Sequence, residues 1–404
     1  MAPTMAILAL NAGSSSLKFA LHPLDALGAA APARLAGTIA GLEPGGTPRL
    51  AWRDGEGSGD TVLPAGVGDG FERALAAVQD LLTRGSVRPQ AIVHRVVHGG
   101  ERYTAAVRID PAVLADLHAL APLAPLHQPH NLAGIAACAR AFPDLPQVAC
   151  FDTAFHATLP EAERRFALPE VLHAQGLRRY GFHGLSYQYV ARRLADATPR
   201  AGGRLVMAHL GNGASLCACV DGASRATTMG FSTLDGLMMG TRSGALDPGV
   251  LLHLLATGWS REAMERLLYR ESGLLGVSGI SADMRRLRAS AAPEAVRAID
   301  LFTRRVIRET GAMSALIGGL DALAFTGGIG EHDAALRADV CAALGYLGVG
   351  LDEARNAAAA QAGQGAPVAL HATNSAVEVW MVPTDEGREA AGQAARVLGL
   401  ETAG

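Results

Sequence analysis

Short runs of apolar residues, broken by Gly, Pro and Asp clusters, open this chain, and a helical rhythm replaces them further on. Residues 5–10, 17–21, 34–39 and 49–53 read as strands on that basis. Phe71, Leu75, Val78, Leu81 and Leu82 then recur at helical spacing, and Gly85 stands where a helix stop belongs. Residues 91–97 return to strand, Asn131 reads as the N-cap of another helix, and residues 147–152 as a further buried strand.

The second half repeats the opening. Residues 205–220 read as strand, glycine-rich turn and strand, as residues 6–21 do, and Ser16 and Leu17 fall on Ser215 and Leu216. That self-similarity suggests a duplicated domain. Helical pattern dominates from 250 to 317, followed by a strand at 322–325 and a glycine-rich turn at 326–331.

Composition narrows the class. A chain of 404 residues is long for a single core, so two domains or one large α/β unit are expected. The 49% hydrophobic and 18% charged content describes a compact globular protein, and a net charge of -3 offers no basic footprint for nucleic acid or an anionic membrane. Five cysteines without Cys-x-x-Cys spacing read as reduced thiols. No apolar run approaches the roughly eighteen residues of a membrane span, and residues 5–10 are too short for a signal peptide, so the expected compartment is the cytoplasm.

The candidate chemistry lies in the loops. Asn11 to Ser16, Gly211 to Ser215 and Gly327 to Gly330 are glycine-rich segments that each follow a buried strand, where backbone N–H groups can turn toward an anion. None fits the P-loop or a dinucleotide fingerprint. Of 35 basic residues only Lys18 is a lysine, and it follows the first of these turns. A compact ammonium suits phosphate as a point charge. Arg95 precedes a glycine pair, Arg242 and His183 sit between glycines, and Asp152 ends a strand. Taken singly, each has a plainer alternative: a hairpin turn, a surface salt bridge, a structural histidine.

In their order and separations these segments, with Ala124 to His127 and Pro383 to Glu386, resemble the acetate kinase family of carboxylate kinases over nearly the whole chain. The resemblance implies an α/β protein of two duplicated ribonuclease H-like domains of the actin-like ATPase kind, with an interdomain cleft. Expected boundaries are 1–151 with 387–404 for the first domain and 152–386 for the second. It implies reversible transfer of the ATP γ-phosphoryl group to acetate, giving acetyl phosphate and ADP, with Mg2+ or Mn2+, in a homodimer. Residue by residue, Asn11 and Glu386 would hold the metal. Ser14, Ser16 and Lys18 would surround the transferring phosphoryl group. Arg95 and Arg242 would grip carboxylate and phosphoryl group, His183 would hydrogen-bond the transition state, and Asp152 would position substrate or an arginine. Val97, Leu126, Phe182 and Thr233 would line the acid pocket. His209, Leu210, Gly211, Asn212 and Gly213 would meet the nucleotide phosphates, and Asp283, Met284, Arg285, Gly328, Ile329, Gly330, Glu331 and His332 the adenosine.

Four positions depart from the family pattern: Ala245 where an acid is usual, Thr233 where proline is, and His332 and Asp385 where asparagine is. They bear on Arg242, on acid chain length, on nucleotide preference and on charge beside the metal. Two rivals stay open at this point: a kinase for propionate or another short acid, and a nonenzymatic actin-like nucleotide switch. A carboxylate is already a nucleophile at neutral pH, so the kinase readings need charge neutralisation more than a general base.

Overall fold

The computed structural model describes residues 5–25, 27–43, 45–64, 70–85, 87–359 and 365–400. The chain divides into two compact units, Met1–Phe155 with Asp385–Gly404, and His156–Thr384. Asp152 and Glu386, assigned above to the second domain, therefore belong to the first unit.

In the first unit eight strands are described: β1 (Ala6–Ala12), β2 (Ser16–Pro23), β3 (Leu35–Ala40), β4 (Arg49–Asp54), β5 (Ser58–Val62), β6 (Ala91–Val96), β7 (Val107–Arg108) and β8 (Gln147–Phe151). Their order is β5-β4-β3-β2-β1-β6-β8-β7. Strands β1, β2 and β3 form an antiparallel meander, whereas β6 and β8 run parallel to β1 and to each other. The second unit adds β9 (Leu205–Leu210), β10 (Ala214–Val220), β11 (Ala223–Thr227), β12 (Ala322–Thr326), β13 (Val368–Ala369) and β14 (Glu378–Met381), ordered β11-β10-β9-β12-β14-β13. It too is a three-strand meander continued by two parallel strands. Both sheets thus have the ribonuclease H-like order, and the duplication read from the sequence is a duplication of topology. A single offset does not carry through the hairpins: Leu17 faces Ala12, but Leu216 faces Ala208.

Alternation decides what covers the first sheet. Leu8, Leu10, Leu17 and Phe19 point to one face, where helix Gly70–Arg84 sets Leu75, Val78, Leu81 and Leu82 against them. Ala9 points to the other face, against the start of helix Glu386–Leu398: a Cβ on Gly387 would sit 3.7 Å from Ala9 Cβ. This helix buries Ala390, Ala391, Ala394 and Ala395, small side chains that let it lie close to the sheet. The apolar character of β1 on both faces follows from this double cover.

Asn131 is not a helix cap. The helix begins at Gln128, with His127 as N-cap, because Pro129 already suits the first turn. Buried Asn131 instead accepts the Val97 N–H (3.0 Å) and donates to the Ala12 carbonyl (2.7 Å), tying together the ends of β1 and β6. The sequence 326–331, expected as a turn, is largely a short helix, Gly327–His332.

Two buried histidines flank Arg95. Burial pushes the pKa of both His94 and His98 down to about 4. Each stays neutral in the folded chain while the unfolded chain takes up protons below about pH 6.5. Stability should therefore be complete above that value and fall as the pH drops toward 4, by roughly 2 kcal/mol per histidine. Urea unfolding midpoints at pH 7 and 4.5 check this; a pH slope unchanged in His94→Gln would refute the His94 share.

Candidate active site

The first unit gathers its charged candidates on the face that carries helix Glu386–Leu398. Arg95 leaves β6 near its C-terminal end and Asp152 follows β8 directly. The two form a fork: Arg95 Nε donates to Asp152 Oδ1 at 2.8 Å and Nη2 to Oδ2 at 2.6 Å. Glu386 Oε2 lies 3.4 Å from the same Nε. Asp152 is 2% exposed, whereas Arg95 and Glu386 keep 22% and 23% of their side chains open. Burial by itself would weaken the guanidinium, but the two carboxylates outweigh it and hold Arg95 above its ordinary pKa. Arg95 is thus a permanent, aimed cation with part of its fork free for an anion.

Asn11 on β1 pairs with Lys18 on β2, and alternation puts both on the face of Ala9, toward the start of the Glu386 helix. Lys18 and Ser14 are exposed, and Ser16 is half-buried. Asn11 and Glu386 offer hard oxygen donors of the kind Mg2+ or Mn2+ takes, and among the described residues there is no cluster of three or more His, Cys, Asp or Glu suited to a metal. A sparse site completed by water and phosphate oxygens fits this donor set.

In the second unit the centre is Gly213. A Cβ there would stand 3.3 Å from His183 Nε2 and 3.8 Å from Arg242 Nη1. Only glycine leaves the space those two groups border. The clearance beside the Arg242 fork thus includes a glycine distant in sequence. Gly240, one of its neighbours in sequence, faces Asn212 instead. Arg242 Nη1 donates to the Thr233 carbonyl (3.1 Å) and touches Met239 Sδ. His183 adopts the left-handed conformation (φ 60°) at the start of helix Gly184–Ala195, with Nδ1 2.8 Å from Ser215 Oγ. Its ring stacks on His209 at 4.3 Å between centroids. Behind it, His156 donates to the Phe182 carbonyl (2.9 Å) and packs against Gly181, where positive φ and the lack of space both require glycine.

Beside this centre opens a pocket of about 740 Å3 lined by Gly211, Asn212, Asp283, Met284, Arg285, Gly328, Ile329 and His332, all named from the sequence. Ala282, Arg288, Asp333 and Ala334 line it as well and were not foreseen. Asp333 carries a readable signal, since it caps helix Ala334–Ala343, but its 3.0 Å ion pair with Arg288 spans too much sequence to read. Leu210 and Gly330 are buried rather than lining. Glu331 turns away: its carboxylate accepts the N–H groups of Gly327 (3.0 Å) and Thr384 (3.1 Å). Wholly buried Arg337 donates to the carbonyls of Gly330 and Glu331. The glycine helix is therefore held at both ends, and Glu331 shapes the pocket without facing it. Asp283 caps helix Met284–Arg288 and pairs with Arg285, which holds its pKa down at about 2. Of the expected acid pocket, Val97 and Leu126 lie in the first unit and Phe182 and Thr233 in the second; Phe182 is 1% exposed.

The acetokinase family model matches residues 6–391. The chain belongs to the acetokinase family. The acetate kinase of Rhodopseudomonas palustris (strain ATCC BAA-98 / CGA009) is 50% identical over 383 residues, spanning 94% of this chain and 95% of that one. That of Methylocella silvestris is 46% identical, with the same coverage. Among solved structures, Porphyromonas gingivalis acetate kinase superposes with a TM-score of 0.86 at 34% identity (98% of this chain, 100% of that one). A Francisella tularensis propionate kinase gives 0.87 at 35% (96% and 98%). Two of the departures from the acetokinase pattern have local explanations. Thr233 anchors Arg242 through its backbone carbonyl, which proline would also supply. Asp385 caps the Glu386 helix by accepting the Arg388 N–H, a role asparagine shares.

Proposed function

We infer that this acetokinase-family chain is an acetate kinase, a phosphotransferase with a carboxyl acceptor. It uses ATP as donor and makes acetyl phosphate and ADP reversibly. The observation that carries the reading is the forked Arg95–Asp152 pair with Glu386 beside it, since a fixed guanidinium with free donors suits a carboxylate or a phosphoryl oxygen. A switch that only hydrolyses ATP has no need of an aimed carboxylate grip.

In this mechanism the adenosine occupies the 740 Å3 pocket, between the Gly327–His332 helix and Asp283 to Arg285, with Gly211 and Asn212 toward the phosphates. Arg95 holds the acid, and Asp152 keeps Arg95 charged and oriented. Arg242 and His183 meet the equatorial phosphoryl oxygens, where charge spreads in a loose transition state. Lys18, Ser14 and Ser16 add donors. Asn11 and Glu386 would hold Mg2+, which when bound neutralises phosphate charge. No general base is required, so Asp152 has no proton to remove.

The test is an ATP-dependent acyl phosphate assay with hydroxylamine trapping across formate, acetate, propionate and butyrate. Acetate should give the highest kcat/KM, with propionate reduced by about tenfold to a hundredfold, the discrimination one methylene can supply. Faster turnover of propionate would move the assignment to a propionate kinase, and ATP hydrolysis with no trapped product would leave a nucleotide switch. A homodimer would cover helix Pro248–Ala256, none of whose residues is buried and whose Leu252 is 67% exposed. Sedimentation equilibrium giving a monomer would refute it.

A further inference from the structure

Helix Gln128–Ala141 turns one edge toward the two segments of the first unit to which substrate contacts are assigned above. Gln128, Asn131 and Gly134 are spaced three apart, so they share a face. Buried Gln128 donates through Nε2 to the carbonyls of His98 (3.1 Å) and Leu117 (3.3 Å). Buried Asn131 joins Val97 to Ala12. At Gly134 a Cβ would stand 2.7 Å from the Ala12 methyl, and among the described residues no other atom outside the helix's own would lie within 4 Å of it.

The Asn131 amide has one orientation. A backbone N–H can only donate and a carbonyl can only accept, so Oδ1 faces Val97 and Nδ2 faces Ala12. Alanine would serve neither group, and a carboxylate would set a second acceptor against the Ala12 carbonyl. What lies at the two ends gives the amide its consequence. Val97 directly follows β6, which carries Arg95, and Leu126, also assigned to the acid pocket, stands just before the helix. Ala12 ends β1 next to Asn11, and the Gly13 N–H closes the following turn on the Ser16 carbonyl at 2.8 Å.

We propose that Asn131 is a positioning residue that sets the acid-binding segment at Val97 against the phosphoryl-binding turn after Ala12, and through Val97 sharpens the choice between acids one methylene apart. Gly134 holds the same spacing from the helix side. A misplacement of about 1 Å between reacting groups costs up to about a hundredfold in rate, so an amide that keeps two such segments in register acts on turnover without touching either substrate. The consequence rests on the kinase reading, whereas the geometry does not.

The test compares kcat/KM for acetate and propionate in the acyl phosphate assay, on one preparation of each full-length variant. The ratio of the two does not depend on how much of a preparation is folded, so a purely structural loss leaves it where it was. Asn131→Ala should move that ratio about threefold toward one and lower kcat about tenfold. The KM for ATP should stay within about twofold, because the adenosine pocket lies in the other unit. Gly134→Ala, which pushes on Ala12, should lower kcat about fivefold, and adding Ala12→Gly, which removes the facing methyl, should return most of it. Amide hydrogen exchange gives a readout without activity. The Val97 N–H should be protected in the unmodified chain and exchange about tenfold faster in Asn131→Ala, while Ile92 and Val93 within β6 keep their protection. An acid ratio unchanged in Asn131→Ala, or a Gly134→Ala loss that Ala12→Gly does not relieve, would overturn the positioning role. Unchanged exchange at Val97 would overturn the bond itself. Failure of the kinase reading shows separately, as no acyl phosphate from the unmodified chain with any acid, and leaves the exchange measurement standing.

Discussion

Arg95→Ala is expected to lower kcat by about two to three orders of magnitude, the loss that follows removal of one preorganised donor to transition-state charge. It should also weaken the fold. Asp152 is 2% exposed, and both of its oxygens are held by the Arg95 fork. Deleting one partner of a buried pair strands the other charge, which costs roughly 3 kcal/mol when the lost partner is itself partly open to water. The two effects separate in the double variant Arg95→Ala with Asp152→Asn, because the stranded charge is then gone. Urea unfolding should show most of the stability restored, and the acyl phosphate assay should show activity still missing. A single Arg95→Ala variant with near-normal kcat/KM would remove Arg95 from the chemistry, whatever happened to stability.

Arg242→Ala should lose a similar factor in kcat with a much smaller stability change, about 1 kcal/mol or less. Its Nη1 donates to a backbone carbonyl and lies against a thioether, so those contacts leave no buried carboxylate behind when they go. The contrast with Arg95 is itself a test: equal destabilisation of the two variants would show that Arg242 has a structural charge partner of the same weight. Arg242→Lys should recover little, since an ammonium cannot both keep the Thr233 contact and spread along a phosphoryl group as a guanidinium can.

Much of the scaffold of this site could be read from residue order. The strands around the first hairpin and the one carrying Arg95 show as short apolar runs between turn residues, and the Gly70–Arg84 helix shows as a run of apolar residues at helical spacing. Asn131 misled because asparagine caps helices so often, whereas here it spans the ends of two strands that sequence does not join. Glu331 misled in the other direction. It lies in the glycine segment that forms the pocket, but its carboxylate serves the backbone at Gly327 and Thr384, and the Thr384 contact is long-range.

Helix Glu386–Leu398 has a consequence for the order in which the protein is made. It carries Glu386, covers one face of the first sheet, and comes from the last stretch of the described chain, after all of the second unit. During synthesis the usual sequence, in which the N-terminal domain folds while the rest is still emerging, is therefore inverted. The second unit is continuous and can close as soon as Thr384 has left the ribosome. The first must hold an apolar sheet face open until that helix arrives, so strands translated before the second unit become a finished half of the enzyme only after it.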